Sequence, residues 1–123
     1  MTPIRFTADA LRYQFAVIGM YLDLPQTPVH VSHSDRQQAV RWWDSGVPLR
    51  TVQTALLLGS LRRLLRPAAA PRLAPIRSLA YFQPVVEELL QTPVADDYCG
   101  YLQGKMKAYL RDHPDWDPHP DPP

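Results

Sequence analysis

The chain has 123 residues, a formal net charge of +1, 46% hydrophobic and 20% charged residues, which describes one globular domain and excludes a wholly disordered chain. Its single cysteine, Cys99, excludes an intramolecular disulfide and a cysteine-cluster zinc site. No apolar run approaches the roughly 20 residues of a membrane span and residues 1–6 lack a signal-peptide layout, so the expected setting is cytoplasmic, without a membrane partner.

Thr7 is placed to cap a first helix over residues 8–22, in which Ala8, Leu11, Phe15, Ile18 and Leu22 recur at helical spacing as one apolar stripe. Residues 23–31 read as a connector. Its Pro25-Gln26-Thr27-Pro28 has the spacing of a polyproline-recognition motif, but a helix-breaking linker is the preferred reading. Ser34 and Gln37 make a possible capping box for a second helix over 35–44, with Ala39, Val40 and Trp43 facing inward. Gly46 suits the left-handed residue after that helix, and Pro48 the first turn of the next.

The third helix, 48–65, carries leucines around most of its circumference, so it is expected at the centre of the bundle. Thr51, Ala55 and Gly59 form a row of small residues where a neighbour can approach closely. After a proline-punctuated loop, residues 76–91 present Leu79, Phe82, Val86 and Leu89 on one side, with a kink or break at Pro84. Thr92-Pro93 reads as the start of a fifth helix ending near Arg111, with Tyr98, Leu102, Met106, Tyr109 and Leu110 as its apolar face. The predicted fold is all-α: a single five-helix bundle over residues 1–112 with a central buried third helix. Residues 113–123 form a disordered, acidic, proline-rich tail. Val52, Leu56, Leu61, Phe82 and Val86 are the expected core.

Charge is separated along the chain. From Arg36 to Arg77 the chain carries eight arginines against a single acidic residue, Asp44. Eleven arginines against two lysines also fit a GC-rich genome, but codon bias does not place the acids elsewhere. Such a segment on a helical module points to a polyanion, most simply DNA, held through Arg50, Arg62, Arg63, Arg66, Arg72 and Arg77. Arg62, Arg63 and Arg66 also stand where cations complement the helix dipole.

Gly46-Val47-Pro48 followed by Thr51-Val52 and Ala55-Leu56 resembles the turn and recognition helix of bacterial repressors, which would direct Arg50, Gln53 and Thr54 to the major groove. A buried helical hairpin reads the same residues, with bulky Trp42 four residues before the glycine and Leu57, Leu58 and Leu61 on the side that a recognition helix leaves wet. A longer stretch is similar to the C-terminal domain of DnaD-like primosomal and phage replication proteins. It comprises Trp42/Trp43 with Ser45-Gly46, Val52 with Ala55-Leu56, and Ile76, Ser78, Tyr81, Val85 and Leu89 after a loop. Small helical proteins carried with mobile-element replication genes look alike too. The resemblance implies a non-enzymatic DNA-binding protein that contacts replication partners.

Catalysis finds no nucleophile elbow, phosphate-cradling loop or helical metal-ligand pair, so no catalytic residue, metal or cofactor is expected. Glu87-Glu88 and Asp96-Asp97 project in different directions, and Cys99 reads as a small core residue. His113, Asp115, Asp117 and His119 would bind metal only adventitiously; His30 and His33 read as surface residues. The alternative function is a protein–protein adaptor that self-associates through Trp42, Leu57, Leu58, Leu64, Leu65 and Tyr101. With a polyanion as partner, the acidic tail either folds back onto the arginines and competes with it or remains a solvated end.

Overall fold

The computed structural model describes residues 8–28, 30–67, 69–71 and 73–113. Among them are five α-helices and no strand: α1 (Ala8–Leu22), α2 (His33–Asp44), α3 (Leu49–Leu64), α4 (Gln83–Gln91) and α5 (Tyr98–Asp112), with a 3-10 turn, Leu79–Phe82, leading into α4. The expected cap at Thr7 and the tail from residue 114 onward lie outside the described residues.

α3 is the central element, packed against α1, α4, α5 and the 3-10 turn. Val52, Leu56, Leu61, Phe82 and Val86 are all buried, as their spacing predicts. The small-residue row has its use at Gly59. A Cβ there would stand 2.8 and 2.9 Å from Cδ1 and Cε1 of Phe82, whose ring is fully buried. The missing side chain is what lets that ring lie against the helix. Gly59→Ala is therefore expected to destabilise despite a gain of about 1 kcal/mol in helix propensity, because overpacking costs about 1–3 kcal/mol. Urea denaturation reads the net loss, and a net gain would show that Phe82 shifts freely.

The helix ends depart from the expected ones. The capping box at α2 is Ser32 with Asp35, two residues earlier than Ser34 with Gln37: the Ser32 hydroxyl accepts from the Asp35 amide and the Asp35 carboxylate from the Ser32 amide. Gly46 takes the left-handed conformation at φ 73° and Pro48 opens α3. Pro84 sits in the first turn of α4, so the region over 76–91 divides ahead of the proline into a 3-10 turn and a helix. α5 starts at Tyr98 and not at Thr92, because residues 92–97 are exposed and bury no apolar side chain that would hold another turn. Pro25-Gln26-Thr27-Pro28 follows the end of α1 as a turn in which the single Thr27 hydroxyl proton is shared between the carbonyls of Leu24 at 2.9 Å and Tyr21 at 3.1 Å.

Two inward faces also differ. α1 buries Ala10, Tyr13, Val17 and Tyr21, and leaves Leu11, Phe15 and Leu22 exposed. The helix is apolar on both sides, and the core takes the side carrying two large tyrosines. In α2, Trp42 is buried and Trp43 is partly exposed against Tyr13. The Trp42 indole N–H donates to Gln83 Oε1 at 2.6 Å, which satisfies a polar group that burial would otherwise strand.

Candidate nucleic-acid interface

The arginines at the end of α3 do not close on the last helical carbonyls. Arg63 and Arg66 fasten the loop that follows. Arg62 turns to α4 and meets Glu88 in a two-bonded pair at 2.7 and 3.3 Å, with both side chains about half exposed. Arg63 reaches three acceptors: Gln26 Oε1 at 3.0 Å, the Tyr81 hydroxyl at 3.2 Å and the Ala74 carbonyl at 2.7 Å. Its guanidinium also lies 5.2 Å from the centre of the Tyr81 ring. Arg66 donates to the Pro71 carbonyl at 2.9 Å.

These contacts gather one end of the bundle. Gln26 follows the end of α1, Ala74 belongs to the loop over 65–78, and Tyr81 to the 3-10 turn. The same end holds the start of α2, because the buried Asp35 carboxylate accepts the Leu79 amide at 2.8 Å. Arg36 and Arg77 flank that contact in sequence; both are exposed and form no ion pair among the described residues.

The six arginines expected to act together are thus divided. Arg63, Arg66 and Arg77 share one end. Arg62 is neutralised by Glu88. Arg50 stands in the first turn of α3, about 20 Å along the helix from Arg63 at 1.5 Å per residue. Arg72 lies outside the described residues. Arg36 was not among the expected site residues, although it is the first of the eight arginines in the 36–77 stretch. Nothing in the sequence marks Gln26, which reaches Arg63 from a turn at φ 65°.

The partners differ in electrostatic consequence. A carboxylate cancels a guanidinium, as Glu88 does for Arg62. The acceptors of Arg63 and Arg66 are a side-chain amide, a phenol and carbonyls, all neutral, so both charges remain uncompensated by these bonds. Among the described residues Arg63 uses three of the five guanidinium N–H donors and Arg66 one, leaving two and four. Remaining donors on a fixed charge are what an anionic oxygen needs.

The side chains of α3 that the repressor-like reading directs to a groove differ in exposure. Of the residues that reading directs outward, Thr54 is buried with its hydroxyl bonded to the Arg50 carbonyl, and only Arg50 is exposed. At the opposite end, a shallow open depression of about 520 Å³ lies among Asp9, Arg12, Tyr13, Trp43 and Pro48. Its charged groups are bonded to each other at 3.1 Å, and the Tyr13 phenol is committed to the Val47 carbonyl. Among the described residues no three His, Cys, Asp or Glu side chains are grouped to hold a metal ion, and no helix is long and apolar enough to cross a membrane. Cys99 is buried.

The chain matches no family model, no curated protein and no solved structure. The functional reading therefore stands on the arginine end and on the sequence resemblance alone.

Proposed function

We propose that this protein is a non-enzymatic DNA-associated module that holds phosphate groups at its arginine end, through Arg36, Arg63, Arg66 and Arg77. The observation that carries the reading is the neutrality of the acceptors around Arg63 and Arg66: the bonds that fix these side chains leave their charge available. A replication or mobile-element setting follows from the DnaD-like resemblance. Recognition is of the backbone and not of bases, because α3 is enclosed by the other helices.

The test separates binding from folding. Arg63 ties three segments together, so its removal would disturb the loop as well as the charge. Arg66→Ala with Arg77→Ala removes two charges at the cost of one exposed hydrogen bond. Binding of a labelled duplex, followed by anisotropy across a salt series, is expected to show the double variant with a salt slope lower by about 1.8, at about 0.9 per phosphate contact. Arg50→Ala and Arg62→Ala are expected to leave that slope unchanged. Absence of duplex binding at low salt, or an undiminished slope in the double variant, would remove the proposal.

A further inference from the structure

The self-association surface expected from the sequence is largely consumed in folding. Trp42 is buried, and Leu57, Leu58 and Leu64 pack against the core. Only Leu65 and Tyr101 of that set remain exposed. The free apolar face is elsewhere, on the outer side of α1.

At about 100° per residue, Phe15 projects away from the side that α1 buries through Ala10, Tyr13, Val17 and Tyr21. It is 72% exposed, the most exposed of the large hydrophobic residues described. Ala8, Leu11, Gly19 and Leu22 lie within about 40° of it, and all are exposed. No charged side chain occurs from Tyr13 to Leu22. Gly19 is one turn after Phe15, and a Cβ built on it would meet nothing within 4 Å. The face thus carries a large projection and, one turn on, a gap.

Charges stand at its two ends and on one edge. Arg12, about 60° from Phe15, is exposed and among the described residues is held only by the exposed pair with Asp9. Asp23 is exposed one residue past the helix, its amide still bonded to the Gly19 carbonyl. A two-fold axis perpendicular to α1 near the level of residue 17 keeps each edge on its own side and reverses direction. It then sets three unlike pairs at matching levels, each made twice. Phe15 lies over Gly19 of the partner subunit, Leu11 beside Leu22 of the partner subunit, and Arg12 beside Asp23 of the partner subunit.

We infer that the outer face of α1 is an antiparallel docking surface for a second copy of this chain. The occupant is named by complementarity: projection against gap, leucine against leucine, and opposite charges on the same edge, all from one repeated surface. One helix face is smaller than the roughly 800 Å² per partner of a standard interface, so the dimer is expected to be weak and concentration-dependent. The partners' arginine ends then lie at opposite ends of the antiparallel pair.

Sedimentation equilibrium of the full chain without nucleic acid tests this independently of the DNA reading. The expected result is a reversible monomer–dimer equilibrium in the micromolar range. Gly19→Trp fills the gap and is expected to leave a monomer with unchanged circular dichroism, since the site faces open space. Arg12→Asp is expected to weaken dimerisation at least tenfold, and Arg12→Asp with Asp23→Arg to restore it. A monomer at the highest soluble concentration would overturn the inference, whether that face is covered by another segment of the chain or meets a foreign partner. A dimer indifferent to Gly19→Trp, or a double variant without rescue, would overturn it as well.

Discussion

Asp35→Ala is expected to lower the unfolding free energy by about 2–4 kcal/mol. One part is the α2 cap, for which loss of a good N-terminal capping interaction costs about 1 kcal/mol. The larger part is the Leu79 amide, buried at the start of the 3-10 turn and bonded at 2.8 Å to the carboxylate. Removing the acceptor leaves that donor unpaired, at about 1–3 kcal/mol. For a domain of this size the melting temperature should fall by on the order of 10–20 °C.

Asp35→Asn should fall between, because one amide oxygen replaces two carboxylate oxygens and the new NH₂ faces a donor. Arg62→Ala provides the contrast. Its half-exposed pair with Glu88 also joins two elements, yet exposed ion pairs contribute about 0–1 kcal/mol. Thermal and urea denaturation of the three variants check the ordering. An Asp35→Ala protein within about 0.5 kcal/mol of wild type would show that the carboxylate does not clamp the α2 start to the 3-10 turn.

Asp35 also illustrates what the sequence could disclose. The apolar spacing of α3, of Leu79 to Leu89 and of α5 specifies both helix and buried face, because those segments are amphipathic or wholly enclosed. Gly46 and Pro48 mark the α2–α3 turn through backbone preferences that are local. α1 was legible as a helix but not in orientation: its two apolar sides are nearly equivalent by count. The choice falls to the side on which Tyr13 can reach the Val47 carbonyl, a partner 34 residues away. The two adjacent tryptophans pose the same problem, decided by Gln83, 41 residues on. Asp35 was visible as an acid near a helix start, but its second partner, the Leu79 amide, is 44 residues distant.

The arginine site was legible as charge and not as geometry. Spacing along the chain does not distinguish Arg62, which meets a carboxylate across to α4, from Arg63, which meets only neutral groups. Both occupy the last turn of α3, and their fates differ because successive residues there point about 100° apart. The partners come from the turn after α1, the loop and α4, none of which the arginines' own neighbourhood specifies.

The protein is expected to unfold cooperatively as pH rises from about 10 toward 12. Burial pushes the Tyr13 phenol from its ordinary 10.0 up to about 12. Tyr21 is raised further, first by burial and then by the Asp35 carboxylate, which would repel a phenolate. The sign follows from the neutral form being the folded one. Below the unfolded value both states carry the protons and stability is complete; above it the unfolded chain releases protons that the fold retains. Each tyrosine then removes about 1.4 kcal/mol per pH unit. Tyr13 stops contributing near pH 12, where its folded phenol ionises, and Tyr21 continues beyond. By pH 12 the combined loss is about 5 kcal/mol, comparable with the whole stability of a small domain. Tyr21→Phe separates the two contributions. The Tyr21 hydroxyl has no hydrogen-bond partner among the described residues, so its removal should leave neutral-pH stability equal or higher. The alkaline midpoint should move upward, with about half the pH slope. Tyr13→Phe should instead cost about 1 kcal/mol at neutral pH, through the bond to Val47. Far-UV circular dichroism recorded with tyrosinate absorbance follows both events together. Helix content unchanged through pH 12, or a Tyr21→Phe midpoint equal to wild type, would contradict the assignment of the transition to these two phenols.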